Sequence, residues 1–354
     1  MKNFLVSDLK VIDSPQAGIG VARCLNDLGH NVYGLDNTPL VTTSSIFKKI
    51  FTVEEMQTLN LDSLVRKIRS IKENYDIDYL IPCYDETVIL FSFLKDKMDY
   101  LGIELLAPSI EVLKKIRKTQ LERLKTVTIP PQQRVSSVEE AQKFAQKIGY
   151  PVYVKGLTKA AIRAEDDDAL GAAIKKVAGI WNGGEVDCLI QKSIKGKLHN
   201  VLLAIRGGRI VSYLEMEKVA IDGNGATWFG KMTTSKDKFD LMQKVVSEIG
   251  FQDAIIEVEG IIEEETDKYY IYEINSRPPA WIYAASLNGQ NFFETYLNPG
   301  KEVVFNNKEA YFGRETLHFI SNAKDLSGYS NLQMFSKGAA YKTENQKYPS
   351  DILL

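Results

Sequence analysis

The sequence predicts an α/β protein, with a small N-terminal parallel-sheet domain followed by an α+β core. Three observations point there. Residues 3–36 read as strand, helix, strand, the opening of a parallel sheet. Capped helices then recur between short β-branched runs as far as residue 297. Residues 254–274 read as a hairpin of β-branched and aromatic strands. The chain has 354 residues, 44% hydrophobic and 25% charged, an ordinary globular composition. That length suits two or three domains of about 100–200 residues each.

Asn3–Ser7 is a short apolar strand. Gln16–Leu28 sets Ile19, Ala22, Leu25 and Leu28 at helical spacing, and Gly29 stands where a C-terminal cap belongs. Asn31–Leu35 is the second strand, ending at Asp36. Ala17-Gly18-Ile19-Gly20 is half of a dinucleotide loop. The full GxGxxG is absent, so the glycines are read as allowing close helix packing, and a nicotinamide enzyme is set aside. Leu61–Tyr75 is an amphipathic helix, and Tyr79–Pro82 is the next strand. Cys83-Tyr84-Asp85-Glu86 then stands at a strand's C-terminal end, where open α/β sheets bind ligands. Asp85 and Glu86 are candidate substrate-binding residues; as caps of the following helix they would be structural.

Ser109–Val127 reads as a basic helix stopped by Pro130 and Pro131. Ser137 and Glu140 form a capping box for a helix to Ile148, ended by Gly149. Tyr150–Gly156 is an alternating strand that delivers Lys155, and Leu157–Ala164 is a loop. Asp166–Ile180 is a helix with aspartates at its positive end. Val186–Gln191 is a strand leading into Lys192-Ser193-Ile194-Lys195-Gly196. Val201–Ile205 and Arg209–Met216 form a hairpin turned by Gly207-Gly208. Glu217–Trp228 reads as a mobile loop, Ser235–Ile249 as a helix ended by Gly250, and Ala280–Leu297 as mostly helical. Arg314–Ile320 is expected to be a last strand before a polar tail.

The chemistry gathers in the hairpin. Alternation puts Glu257 and Glu259 on one face of Ala254–Ile262, and Glu273 and Asn275 on one face of the strand after the turn Glu263–Lys268. Folded together, three carboxylates and an amide oxygen converge. Hard oxygen ligands suit Mg²⁺, which shares its shell with waters and nucleotide phosphates. Arg277 follows with a planar cation for an anion. On a solvated edge the same residues would be only an acidic strand.

Composition narrows the rest. A net charge of −2 opposes a nucleic-acid or membrane surface built on bulk charge. The three cysteines have no CxxC spacing, which suggests a reducing compartment and no structural zinc. Three histidines leave little for His-based metal or triad chemistry. No apolar run reaches transmembrane length and the chain begins on a strand, so a cytoplasmic location is expected.

Glu273-Ile274-Asn275-Ser276-Arg277 resembles the E-x-N-x-R motif of the ATP-grasp superfamily, here of the type found in carbamoyl-phosphate-synthetase-like carboxylate–amine ligases. The resemblance runs over residues 1–297 in the same order. It implies that Glu273 and Asn275 bind Mg²⁺ with Glu259, or with Glu257 on the same face, and that Arg277 approaches the reacting phosphate. Pro151–Lys155 resembles the family's phosphate-lysine strand, and Arg117-Lys118 stands in register with its lysine helix, so Lys155 and Lys118 are the expected ATP phosphate ligands. Gln191, Lys192, Ser193 and Ile194 resemble the adenine hinge, where Lys192 replaces one expected glutamate and Leu198 or His199 the other. Ala160-Ala161 stands where the phosphate loop is glycine-rich.

By the resemblance, residues 1–107 form a pre-ATP-grasp domain, 108–190 and 191–312 the two ATP-grasp subdomains, and 313–354 a strand and tail. Trp228, Arg277, Pro279 and Trp281 are candidate linings of a substrate pocket beside the hairpin, or core and hinge residues. The implied activity is ATP- and Mg²⁺-dependent joining of a small-molecule or peptide carboxylate to an amine, in a homodimer or hetero-oligomer. The alternative is a regulatory protein on the same fold that partners an active ligase.

Overall fold

The computed structural model describes residues 1–9, 17–37, 46–157, 160–181, 184–221, 225–300, 302–303 and 309–313. The expected Arg314–Ile320 strand lies outside them.

The N-terminal unit is β1 (Asn3–Ser7), α1 (Gly18–Asp27), β2 (Asn31–Asp36), β3 (Ile50–Thr52), α2 (Glu55–Thr58), α3 (Leu61–Tyr75), β4 (Tyr79–Ile81), α4 (Asp85–Phe93), α5 (Lys95–Tyr100) and β5 (Glu104–Leu105). Its five strands are parallel in the order β3-β2-β1-β4-β5. The chain winds outward from β1 to β3 and returns to the other side of β1 as β4. The switch point therefore falls between β1 and β4, where such sheets open a crevice beyond their C-terminal ends. Asp8 follows β1 there in a left-handed conformation, φ 61°, and is buried. Its carboxylate accepts from Thr87 Oγ1 at 2.5 Å and from the Cys83 amide at 3.1 Å, so it ties the ends of β1 and β4 together. A Cβ on Gly18 would stand 2.5 Å from the carbonyl oxygens of both Ser7 and Asp8, which accounts for a glycine at the start of α1.

A second unit comprises α6 (Ile110–Lys115), the 3₁₀ turn Leu121–Arg123, β6 (Gln132–Val135), α7 (Val138–Ile148), β7 (Val152–Lys155), β8 (Ala161–Ala164), α8 (Asp167–Trp181) and β9 (Cys188–Lys192). Its antiparallel sheet has the order β6-β9-β7-β8. The expected long helix 109–127 is instead α6 and the 3₁₀ turn, with Lys118 between them. Beyond the 3₁₀ turn the Glu248 carboxylate takes the amides of Lys125 at 2.6 Å and Thr126 at 2.9 Å, where the expected helix would still run. The expected loop to Ala164 is shorter too, since β8 pairs with β7 and Gly156 N donates to Ala160 O at 3.1 Å.

The third unit is β10 (Gly196–Arg206), β11 (Arg209–Ile221), β12 (Thr227–Thr233), α9 (Lys236–Ile249), β13 (Ala254–Glu263), β14 (Tyr269–Asn275), α10 (Ile282–Leu287), α11 (Phe292–Leu297) and β15 (Ala310–Gly313), with sheet order β14-β13-β10-β11-β12-β15. Gly207 and Gly208 both have positive φ, the primed turn expected between β10 and β11. Most of the expected loop 217–228 is strand: β11 runs on to Ile221 and pairs with β12 from Thr227. The tip of that hairpin, residues 222–224, lies outside the described residues.

One face of this sheet (Val201, Leu203, Ile256, Val258) packs with Val245, Val246 and Ile249 of α9. The other (Leu202, Ala204, Leu214, Met216) shares a core with Phe4 and Val6 of β1, Val21 and Leu25 of α1, and α10 and α11. The four-stranded sheet has a separate core around Val152, Val154, Ile174 and Ile190.

Candidate active site

The register of β13 and β14 builds the site. Glu259 stands opposite Glu273 and Glu257 opposite Asn275, with an irregularity just after Glu259. Glu257, Glu259 and Asn275 are bound into a network, and Glu273 faces Glu259 across the ladder. Asn275 Nδ2 donates to Glu259 Oε1 at 2.7 Å and lies 3.5 Å from Glu257 Oε2. Glu257 Oε1 also accepts from Asn200 Nδ2 at 2.6 Å and from the Trp281 indole at 2.7 Å. Trp281 is thus buried against the acidic pair and serves as its hydrogen-bond donor.

Four cations are interleaved with these acids. Lys118 Nζ pairs with Glu273 Oε1 at 3.0 Å, and Lys218 Nζ pairs with Glu259 Oε2 at 2.7 Å. Lys155 Nζ lies over the Tyr272 ring, 4.5 Å from its centre, and the Tyr272 hydroxyl donates to Glu259 at 3.1 Å. Arg277 Nε is 3.4 Å from Asp85 Oδ1, an ion-pair distance without hydrogen-bond alignment, so the arginine links the hairpin to the N-terminus of α4. Break of the helix after α6 lets Lys118 reach Glu273, and Gln132 Nε2 holds the Lys118 carbonyl at 2.8 Å.

Electrostatics follow from this placement. Burial alone would raise Glu259, but Lys218, Arg277 and the Asn275 amide outweigh it and hold the carboxyl down at about 2. Glu257 goes the other way, raised by burial and by the charge of Glu259. Burial lowers Lys155 to about 8, with Lys118 adding to the effect and Glu273 opposing it. For Lys118 and Lys218 burial is overcome by the acids, Glu273 and Glu259 respectively, and both are raised. Glu86 is raised by burial beside Asp85 and Asp8.

The donor chemistry of Glu259, Glu273 and Asn275 fits a hard divalent cation. As arranged, lysines stand on both glutamates and Asn275 turns its amide nitrogen to the acids. Among the described residues no three acidic, His or Cys side chains are grouped at metal-ligand spacing.

The hinge residues are committed differently from expectation. Lys192 Nζ turns back to the carbonyls of Gly149 at 2.8 Å and Tyr150 at 3.4 Å, at the end of α7, where a cation satisfies helix-end oxygens. Its amide and that of Ser193 donate to Pro131 O and Pro151 O. Gln191 Nε2 donates to Gln132 Oε1 at 2.7 Å. Ile194 makes no backbone hydrogen bond among the described residues. His199 faces the α9 side, with Nε2 3.1 Å from Glu215 Oε2, and Lys238 holds the same oxygen at 3.2 Å. Trp228 is 38% exposed on β12 and takes no part in the carboxylate cluster among the described residues.

Sequence reasoning missed Lys218, because residues 217–228 read as a loop. The alternation Leu214, Met216, Lys218 was the available signal, since it continues β11 and puts the lysine on the face that carries Glu259.

Residues 114–279 match the family model described as the carbamoyl-phosphate synthase L chain, ATP binding domain. Residues 114–279 are thus similar to an ATP-binding domain of the ATP-grasp kind. The carbamoyl phosphate synthase large chain of Rubrobacter xylanophilus is 23% identical over 286 residues, which are 74% of this chain and 26% of that one. The chain thus spans about a quarter of the length of that relative. In fold, this chain is similar to a biotin carboxylase from Campylobacter jejuni (TM-score 0.68, 15% identity, 88% of this chain and 75% of that one). It is also similar to N5-carboxyaminoimidazole synthetase from Staphylococcus aureus (TM-score 0.65, 15% identity, 88% and 82%). A third similar fold is the biotin carboxylase domain of Hydrogenobacter thermophilus 2-oxoglutarate carboxylase, a dimer in complex with MgADP, ADP and bicarbonate (TM-score 0.66, 16% identity, 88% and 74%).

Proposed function

We propose that this chain is an ATP-dependent carboxylate–amine ligase. The observation that carries the reading is the meeting of Lys118 and Lys155, from the four-stranded side, with the E-x-N-x-R hairpin. ATP would lie between the two sheets, its adenine against the hinge at Gln191–Ile194 and its phosphates on Lys118 and Lys155. Glu259, Glu273 and Asn275 would hold Mg²⁺, with Glu257 supporting Asn275, and the ion would neutralise phosphate charge. Lys118 and Lys218 would leave their acids for the phosphates and the substrate carboxylate. That carboxylate attacks the γ-phosphorus, ADP leaves, and an acyl phosphate forms; an amine then displaces phosphate and gives up its proton. Arg277 would stabilise the charge on the reacting phosphoryl group. No side-chain nucleophile is needed, because positioning and electrostatics carry the reaction. The acid enters from the β1–β4 switch point, beside Asp85 and Glu86. The ligase works in the cytoplasm on small-molecule or peptide substrates.

Hydroxylamine tests the reading. With ATP, Mg²⁺ and a panel of amino, keto and peptide acids, one acid should yield its hydroxamate and release phosphate in step. No hydroxamate from any acid, with ATP bound to the folded chain, favours a second reading, a nucleotide-binding partner of an active ligase. The commitment of Lys192, at an expected glutamate position, to α7 and of His199, which with Leu198 is a candidate for the other, to Glu215 supports that alternative.

A further inference from the structure

Neutral donors set the orientation of Glu257. Its Oε1 accepts from both Asn200 Nδ2 at 2.6 Å and the Trp281 indole at 2.7 Å, which leaves Oε2 facing Asn275 Nδ2 at 3.5 Å. Two donors on one oxygen fix the plane of the carboxylate, and with it the group presented to Asn275. The donors are themselves held in different ways. Asn200 lies within β10, opposite Glu259 in the ladder. Trp281 is on no strand; it stands at the N-terminal cap of α10, after Pro278-Pro279-Ala280. A large ring at the end of a short helix needs a wall to keep its N–H on one oxygen.

Phe312 supplies that wall. Its ring stacks on the Trp281 ring with centroids 6.0 Å apart and planes 17° from parallel, and both residues are buried. Phe312 belongs to β15, which lies beyond the matched residues 114–279 and is brought to the site by pairing with β12. Gly230 stands opposite Phe312 in that pairing. A Cβ on Gly230 would come within 2.5 Å of Phe312 Cε1 and 3.0 Å of Met216 Sδ, so the glycine is the gap into which the ring fits. From Gly230 to Phe312, Trp281 and Glu257 each group rests on the one before it.

We propose that Phe312 is a positioning residue for the acidic hairpin: it holds Trp281 on Glu257, and through Glu257 it sets Asn275. The assignment rests on the ligase reading, in which Glu259, Glu273 and Asn275 hold Mg²⁺ and Glu257 supports Asn275. In that reading neither aromatic ring contacts the ion or the nucleotide. Loss of Phe312 therefore acts on the metal-dependent part of nucleotide binding and leaves the adenosine part alone. A residue that orients a metal ligand directly carries about ten- to a hundredfold of the metal affinity. Phe312 acts at a further remove, through Trp281 and then Glu257, so the lower figure of about tenfold is expected of it.

Two substitutions in the full chain, alone and combined, test the assignment. Phe312→Leu removes the flat ring and keeps an apolar side chain; Trp281→Phe keeps a ring and removes the N–H. Each variant is titrated calorimetrically with Mg·ADP and with adenosine, and circular dichroism confirms that it folds. Phe312→Leu should weaken Mg·ADP about tenfold and leave adenosine unchanged. In the Trp281→Phe background the same change should cost nothing further, because the hydrogen bond through which Phe312 acts is already gone. The Trp281 indole N–H, identified by NMR from its loss in Trp281→Phe, should exchange with water faster in ligand-free Phe312→Leu than in the parent. Unchanged Mg·ADP affinity, an equal loss of adenosine, losses that add in the double variant, or an indole N–H that exchanges no faster each overturn the proposal. A parent that binds no Mg·ADP overturns the ligase reading and the proposal together, whereas failure of the variants in a parent that binds overturns the positioning alone.

Discussion

Lys218→Met tests whether the lysine on Glu259 keeps a metal ligand in place. The side chains of Lys218 and Glu259 are 7% and 15% exposed and 2.7 Å apart. Glu259 falls from 4.5 to about 2 in the folded chain. At about 1.4 kcal/mol per pH unit, a shift of roughly two and a half units corresponds to about 3 kcal/mol. Lys218 shares that effect with Arg277 and Asn275, so its removal should cost about 2 kcal/mol, near the lower edge of what breaking a buried pair costs. Because Glu259 is depressed, its contribution is fully present above pH 4.5 and is lost as the pH falls toward 2. The loss should therefore be complete at pH 7. Methionine preserves the volume, so the charge is the main change. If Glu259 is a Mg²⁺ ligand, the ion should replace the missing ammonium. Chemical denaturation with Mg²⁺ at about a hundred times its dissociation constant should return up to about 2.7 kcal/mol to the variant. The parent should gain less, because there the ion must first displace Lys218. A variant as stable as the parent would refute the buried pair. A variant destabilised as expected, with no larger Mg²⁺ response than the parent, would refute the ligand assignment.

Glu273→Gln should abolish Mg²⁺-dependent nucleotide binding in a folded chain; equal thermal stabilisation of variant and parent by Mg·ATP would remove Glu273 from the ligand set. Lys155→Ala should weaken ATP more than adenosine, and equal losses would assign Lys155 a structural role. In the parent, Lys155 is charged below pH 8 and neutral above it, so ATP binding should weaken above pH 8 and take up close to one proton. Calorimetry in two buffers of different ionisation enthalpy counts that proton, and a count near zero at pH 9 contradicts the placement. The same depression makes Lys155 a burden on the fold that is complete below pH 8 and relieved toward 10.5. Gly18→Ala should cost about 1–3 kcal/mol in denaturant unfolding, because a Cβ 2.5 Å from two backbone oxygens forces the β1–α1 turn apart.

The acidic hairpin was legible because a strand's period of two assigns faces without any knowledge of the partner strand. Glu257, Glu259, Glu273 and Asn275 meet as their parity required. Lys118 and Lys155 were legible by their place in a motif, although the helix expected to carry Lys118 stops at Lys115 and the segment beyond it is held by Glu248, some 120 residues further on. No local pattern reports such a capture. Lys218 was hidden by the glycines that follow it, since turn residues at a hairpin tip resemble those of an open loop. Lys192 was misleading for another reason. A long cation reaches several oxygens, and the α7 carbonyls offered hydrogen bonds that the sequence around residue 192 does not reveal.

The distribution of cores has a mechanical consequence. The N-terminal sheet and the six-stranded sheet share one apolar interior, from Phe4 to Leu202, and act as a single anvil. The four-stranded sheet owns its interior and meets the rest of the chain at the Lys155–Tyr272 stack and at Ile271 N to Thr128 O, 2.8 Å, where Val127 and Ile129 pack on the core beneath α9. Amide exchange should thus separate a fast hinge from two slow bodies, and a polyanion bridging Lys155 and the hairpin would act as a rivet that slows the hinge alone.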